Sequence, residues 1–515
     1  MATPAENLAK SLEALKALQD AGKTAIKSND LSRTNRERLL KSGFLREVTK
    51  GWYIGTPAEE QPGDSTSWYA SYWAFCAGYL NDRYGDDYFI SPDQSLLIHA
   101  GNLTVPQQLI IRTTKGVNHS TPLPFGTSLW HWQSPVPPAA VFTTIEGLRM
   151  MDLPSSIIYC SPALFTRQAA DVRTALAMVT DASEISRLLL QQGHSTIAGR
   201  LAGAFRNTGK EKIATDIVKT MQAAGYTIRE TNPFETKTPA HFFTTERSPY
   251  INRIKQLWYE MRTPVIAVFP APPGLPENKE GYLKQVEDIY ATDAYHSLSI
   301  EKYQVTPELI NRVKDGSWDL ATNKEDKQQR DAMAARGYWQ ASQKVRETIR
   351  RILDGMNAGE AADADYGDWY RELFAPSVQA GIIHPEDLAG FRNKQVFIRG
   401  SRHVPLNNEA VRETMPVLFD LLKQEPEASV RAVLGHFIFV YIHPYSDGNG
   451  RMGRFLMNVM LASGGYPWTV IPVQLRKEYM EALEQASVER NIEPFAKFVA
   501  GLAEQSMVGR VTPFT

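Results

Sequence analysis

One stretch of this sequence gathers side chains that could do chemistry: His443-Pro-Tyr-Ser-Asp447-Gly-Asn-Gly-Arg451-Met-Gly-Arg454. Gly448 and Gly450 allow positive φ and let the backbone approach a ligand closely. Successive backbone N–H groups of such a loop, Asn449 included, form a concave anion site. The loop feeds a helix N-terminus, which adds donors and partial positive charge. Arg451 and Arg454 are three apart and share one helix face. Two guanidinium groups above a backbone cradle suit a polyphosphate. Asp447 supplies a single carboxylate, the usual way of holding Mg²⁺ beside nucleotide phosphates. His443 can take a proton near neutral pH. Taken singly these residues are ordinary turn, cap and surface types; the fixed spacing over twelve positions is what makes them specific.

Two helices must position this loop. Val430, Val433, Leu434, Phe437, Ile438 and Tyr441 repeat with helical period before it. Pro444 disfavours the helical conformation at His443, so the first helix is expected to end there. Phe455, Leu456, Val459 and Met460 begin a second helix, which Gly464-Gly465 ends. The run Gly448-Asn-Gly450-Arg-Met-Gly453 also spells the dinucleotide fingerprint G-x-G-x-x-G. That fingerprint needs a preceding strand inside a βαβ unit. Here the preceding run has helical period and no second strand is evident after Pro467, which argues against a dinucleotide-binding oxidoreductase.

The twelve residues resemble the signature of the Fic family, His-Pro-aromatic-x-Asp/Glu-Gly-Asn-Gly-Arg-x-x-Arg, at every signature position, with Tyr445 where Phe is common. The resemblance implies AMP transfer from ATP to a Ser, Thr or Tyr hydroxyl of a target protein, with ATP and Mg²⁺ required. It implies His443 as general base and Asp447 as the Mg²⁺ ligand. Gly448, Asn449 and Gly450 would form the anion hole, Arg451 would neutralise the β-phosphate, and Arg454 would bind the γ-phosphate. Gln395–Pro405 reads as a hairpin centred on Gly400. It resembles the family's target-docking flap, with Val396, Phe397, Ile398 and Arg399 as docking residues. Arg476-Lys-Glu-Tyr479 lies near the region that packs on adenine in the family. Ser297-Leu-Ser-Ile-Glu301 matches the core of the family's inhibitory helix, near 297–302, in which Glu301 would pair with Arg454 and spoil the γ-phosphate site. Gly or Asn usually follows that Glu; this sequence has Lys302. Two other functions stay open at this point: a transcriptional regulator with a Fic sensor domain, and a Fic enzyme that removes AMP.

The rest of the chain sets the frame. Its 515 residues suggest roughly three domains at ~150 residues each. The net charge of −1 leaves no global field for a polyanion, so any nucleic-acid binding must be local. Residues Met1–Gly55 hold ten Lys/Arg and six Asp/Glu, a local charge of +4. Leu8, Leu12, Leu15 and Leu18 follow a helical period. Asp30 or Ser32 is placed to cap a second helix carrying Arg33, Arg36 and Arg38, and two short strands surround Lys50-Gly51. The stretches Leu31-Ser-Arg, Gly43-Phe-Leu-Arg and Lys50-Gly-Trp-Tyr resemble the winged-helix unit of the abortive-infection antitoxin family. Ser95-Leu-Leu-Ile-His-Ala and Ala198-Gly-Arg-Leu-Ala-Gly-Ala-Phe are similar to the body of those antitoxins. That likeness implies duplex-DNA binding, with the three arginines facing phosphates or a groove.

The fold expected is therefore multidomain: an N-terminal winged helix over 1–60, a mixed α/β middle domain over 61–240, and a mainly α-helical Fic domain with a β-hairpin flap over 241–515. In the middle part, Tyr88-Phe-Ile and Gln108–Thr113 read as strands, and Ala169–Gln191 and Glu211–Gly225 as helices. Thr56–Ser67 and Asn232–Ala240 read as linkers. Two cysteines, Cys76 and Cys160, cannot make a disulfide framework. No signal peptide or spanning segment is evident, so the expectation is a cytoplasmic protein with no membrane partner. The oligomeric state stays open at this point, a homo-oligomer being one alternative because many related proteins pair through helices.

Overall fold

The computed structural model describes residues 3–57, 60, 63–116, 118–137, 140–234, 248–316 and 326–510. The expected boundary at 240–241 lies outside these described residues. The described part is mainly helical, and the chain divides into two compact units. The first is Met1–Arg253 with Phe397–Val404; the second is Ile254–Val396 with Pro405–Thr515.

The first unit opens with α1 (Pro4–Asp20), β1 (Ile26–Lys27), α2 (Arg33–Lys41), β2 (Leu45–Thr49) and β3 (Trp52–Gly55). Thr3 and Glu6 close a reciprocal capping box at the start of α1. Ser32, not Asp30, caps α2, its hydroxyl accepting from the Asn35 N–H at 3.2 Å. The three strands form an antiparallel sheet in the order β1-β3-β2. Leu15, Ile26, Leu39, Leu45 and Tyr53 pack into one small core. Of Arg33, Arg36 and Arg38, expected to face phosphates or a groove, two make bonds within their own unit. Arg36 donates to the Ser28 carbonyl and lies over the Tyr53 ring. Arg38 donates to the Asn7 carbonyl and the Ser11 hydroxyl. Both guanidinium groups are thus engaged by oxygens of their own unit. Arg33 is exposed and paired with Glu37 at 2.7 Å.

The helix α3 (Thr66–Tyr84) lays Trp68, Tyr72, Phe75 and Leu80 on a second core. That core is shared with the sheet of β4 (Phe89–Ile90), β5 (Gln108–Thr113), β6 (His119–Pro122) and β7 (Ser128–Gln133). The order is β4-β5-β7-β6, with β5 and β7 parallel and Phe89 opposite Arg112. The helix expected over Ala169–Gln191 is two, Ala169–Met178 and Ser183–Gln192. Asp181 makes the break by accepting from the Ser183 N–H, a local bond that competes with the helical one. Both cysteines are buried and free, and burial pushes the Cys160 thiol up to about 12.

The hairpin expected over Gln395–Pro405 is also corrected. Gly400 makes its turn at φ 75°, with the Ser401 N–H donating to the Ile398 carbonyl. No strand forms on either side of it. Instead, Phe397 and Val404 pack on the second core of the first unit. The Arg402 carbonyl accepts from the Val105 N–H at 3.0 Å, and Arg399 pairs with Asp64. One backbone group that a ladder would use, the Arg402 carbonyl, is thus engaged by another part of that unit.

The second unit is a helical assembly. Its central pair is α7 (Ala428–Ile442) and α8 (Asn449–Ala462), flanked by α4 (Lys279–Ile300), α5 (Asp326–Leu353), α6 (Ala358–Gln379) and α9 (Arg476–Glu484). Thirteen of the fifteen residues of α7 are buried, so its apolar character all round fits a core helix. Among the described residues no helix is long and apolar enough to cross a membrane.

Candidate active site

The helix α7 ends where Pro444 requires. His443 is its C-cap at φ 56°, ψ 61°, a left-handed conformation that is strained for a non-glycine residue. Arg392 holds it there: its Nε donates to the His443 carbonyl at 2.7 Å, and its backbone N–H donates to the Pro444 carbonyl at 3.0 Å. The same guanidinium reaches the Lys394 and Leu406 carbonyls. The His443 Nδ1 lies 3.2 Å from the Val440 carbonyl. A carbonyl only accepts, so Nδ1 carries the proton and Nε2 is left as the basic nitrogen. Desolvation, reinforced by the positive charge of Arg392, lowers the imidazole to about 4, so it is neutral at physiological pH.

The loop is locked from beneath. Tyr445 is buried and stacks on Tyr370 of α6, with ring centroids 3.7 Å apart. The Asn449 amide clasps the Tyr445 backbone at both ends, accepting at 3.0 Å and donating at 2.8 Å. Gly448 sits at φ 86°, and a Cβ there would lie 2.7 Å from the Phe374 ring. Backbone angle and space therefore both demand glycine. The N-cap of α8 is Gly448, which has no side chain to cap it, and the leading N–H groups have no intrahelical partner. Asp447 accepts from the Gly448 N–H at 2.6 Å, and its carboxylate is 63% exposed.

Both arginines of α8 are buried. Arg454 donates from Nε to the Ser297 hydroxyl at 2.8 Å. Its Nη2 donates to the Ser297 carbonyl at 3.1 Å and to the Glu301 carboxylate at 2.8 Å. Its Nη1 is buried and has no hydrogen-bond partner among the described residues. Glu301, despite the burial cost, helps hold the guanidinium well above its ordinary value. A Cβ added to Gly450 would strike the Glu301 carboxylate itself. Glu301 thus lays its negative charge against the uncapped N-terminus of α8, where an anion is favoured.

The end of α4 is shaped for this. The Tyr303 N–H donates to the Leu298 carbonyl and the Lys302 N–H to the Ser299 carbonyl, the paired bonds of a Schellman ending. Lys302 takes the left-handed position at φ 68°, the conformation that Gly or Asn adopts most easily. Arg476 donates from Nε to the Ile300 carbonyl at 2.8 Å. Tyr479 hydrogen-bonds His436 at 2.8 Å.

His443, the loop Asp447–Gly450, Arg451, Arg454, Ser297 and Glu301 are therefore one cluster in the second unit. Of the expected flap residues, Phe397, Ile398 and Arg399 belong to the first unit, while Val396 is the last residue of its segment in the second. Arg392, Tyr303 and Phe374 bear on the cluster but carry no motif that would mark them in the sequence. Among the described residues no group of three or more His, Cys, Asp or Glu side chains could hold a metal.

Residues 364–461 match the Fic/DOC family, so the chain carries a Fic domain. A protein from Nematostella vectensis named Protein adenylyltransferase Fic is 40% identical over 131 residues, which is 25% of this chain and 30% of that protein. Protein adenylyltransferase fic-1 from Caenorhabditis elegans is 32% identical over 131 residues, 25% of each chain. The chain thus spans a third or less of the length of these curated relatives. A solved structure of Fic-1 from C. elegans aligns at 16% identity and a TM-score of 0.38, over 68% of this chain and 97% of that one.

Proposed function

We propose that this protein transfers AMP from ATP to a hydroxyl of a target protein, and that Glu301 restrains the reaction. The observation that carries the reading is the buried Arg454, whose Nη1 lacks a partner among the described residues, beside a helix N-terminus that begins at Gly448. Such a site calls for an anion with several oxygens. The relatives matched over this domain are named protein adenylyltransferases.

In the proposed reaction the hydroxyl oxygen attacks the α-phosphorus of ATP. The bond from that phosphorus to its β-bridging oxygen breaks, and pyrophosphate leaves. Nε2 of His443 takes the hydroxyl proton as the new bond forms. The N–H groups of Asn449 and Gly450 face the charge that develops on the phosphoryl oxygens, and Arg451 and Arg454 neutralise the leaving group. One exposed carboxylate beside a polyphosphate fits Mg²⁺, so Asp447 would hold that ion, which screens phosphate charge when bound. Glu301 opposes this arrangement because it occupies Arg454 and adds negative charge where phosphate would bind. Incubating the full chain and its Glu301→Gly variant with labelled ATP and a protein extract tests the reading. Label should enter protein with ATP labelled on the α-phosphate and not on the γ-phosphate. No incorporation in either chain overturns it.

The N-terminal segment is proposed to bind duplex DNA, supported by the β1-β3-β2 sheet with α2 beside it. Exposed Lys10, Lys16, Lys41 and Lys50 would be the phosphate contacts.

A further inference from the structure

We propose that Tyr303 and Phe374 form an aromatic clamp that positions Arg451 for the β-phosphate of a nucleotide. This rests on the reading of the loop as a nucleotide site.

The two arginines of α8 are held in opposite ways. Arg454 spends its donors on Ser297 and Glu301. Arg451 is as deeply buried, 1% exposed, yet among the described residues its one side-chain hydrogen bond is a long contact of 3.3 Å to Asp447. Its Nε is buried and has no hydrogen-bond partner among the described residues. Two rings take the place of acceptors: its guanidinium carbon lies 5.2 Å from the centre of Tyr303 and 4.9 Å from that of Phe374. The face of an aromatic ring attracts a cation through its quadrupole, and does so without consuming N–H donors. The clamp therefore keeps a desolvated guanidinium in place with donors free for a ligand.

Each ring reaches its position for a separate reason. Phe374 fills the space that a Cβ at Gly448 would need, so the residue that shapes the loop also backs the arginine. Tyr303 follows Lys302 in the Schellman ending of α4, which turns the chain back over α8. The segment Ser297–Tyr303 thus touches both arginines, blocking Arg454 through Glu301 and supporting Arg451 through Tyr303.

The test uses the full chain with Glu301→Gly as parent, so that the site is free. Calorimetric titration with ATP, ADP and AMP, each with magnesium, is run on the parent and on Tyr303→Ala and Tyr303→Phe added to it. Removing the ring should weaken ATP and ADP by about 5- to 30-fold, the worth of a desolvated cation–π contact. AMP has no β-phosphate and should change by less than about twofold. Phe should restore the parent affinities, because the ring face and not the hydroxyl is used. A parallel loss for AMP would show a merely structural role and overturn the proposal, as would unchanged ADP affinity or a Phe variant no better than Ala. If the parent and Tyr303→Phe discriminate ADP from AMP in this way but transfer no AMP to protein, the activity reading falls and the clamp stands. A parent that binds no ATP overturns both.

Discussion

The Glu301 carboxylate receives the Arg454 Nη2 at 2.8 Å from 153 positions away in the chain, and it lies too close to Gly450 for a Cβ there. One carboxylate thus meets both a phosphate-type arginine and the N-terminus of α8. Removing it should free the arginine and delete a repulsive charge. Glu301→Gly should therefore raise AMP transfer by about 10- to 100-fold, the range for a charge-assisted hydrogen bond. Adding Arg454→Ala should cancel the gain, because the freed site then lacks its cation. Initial rates of wild type, both single variants and the double decide it. A rise that survives in the double would place the restraint elsewhere. If Glu301→Gly lowers AMP removal from modified protein instead, Glu301 serves a de-AMPylating reaction.

Lys302 makes a separate prediction. It holds φ 68° in the Schellman ending, at about 1 kcal/mol more strain than Gly would have. Lys302→Gly should raise the thermal midpoint and seat Glu301 more firmly, lowering basal transfer by about fivefold. Lys302→Val, β-branched in the same conformation, should do the reverse. Melting curves and basal rates measured together check the pairing, and equal effects of Gly and Val would refute it.

The ends of α7 and α8 were legible because Pro444 and Gly448 act within a few residues of themselves. The partnership of Ser297 and Glu301 with Arg454 was legible only through family likeness, since nothing local links positions so far apart. Arg392, Tyr303 and Phe374 were not legible: an arginine on carbonyls and two rings on a guanidinium arise from packing between elements. The hairpin at Gln395–Pro405 shows the reverse error. Val396-Phe-Ile398 has strand-like residues and Gly400 does turn, but Phe397 and Val404 have a core to enter, and tertiary packing overrides β-propensity.

The same inward pull bears on DNA binding. Arg36 and Arg38 satisfy carbonyl and hydroxyl oxygens within their own unit, so Arg36→Ala and Arg38→Ala should lower stability by about 1–2 kcal/mol each. They should leave affinity for duplex DNA nearly unchanged. Changing Lys10, Lys16, Lys41 and Lys50 together to Gln should instead abolish a shift of duplex DNA at low salt, with little effect on the melting temperature. Gel shifts over a salt series separate the two sets. A shift that the four-lysine variant keeps, or the absence of any shift from wild type, would remove DNA binding from the account.

His443 carries the last prediction. Its imidazole is lowered to about 4, so the base remains neutral far below the usual histidine range. Transfer should hold from pH 7 to about 5 and fall as one proton binds near pH 4, whereas an unperturbed histidine would already fail near 6.5. His443→Ala should cut transfer by ~10²-fold or more while ATP affinity changes little, because backbone and arginines make the phosphate site. Stability follows the same linkage. Between pH 6.5 and 4 the unfolded chain binds a proton at this residue and the folded one does not, so the stability it contributes is full above 6.5 and drains away as pH falls toward 4. His436, lowered by burial to about 3, and His131, lowered to about 4, act in the same direction. The His443→Gln variant keeps those two and loses the first. Urea midpoints at pH 7 and pH 5 should therefore show wild type losing more stability than the variant, by on the order of 1–2 kcal/mol. Equal losses, or an acid limb of transfer centred near pH 6.5, would mean that His443 is not the desolvated base its surroundings make it.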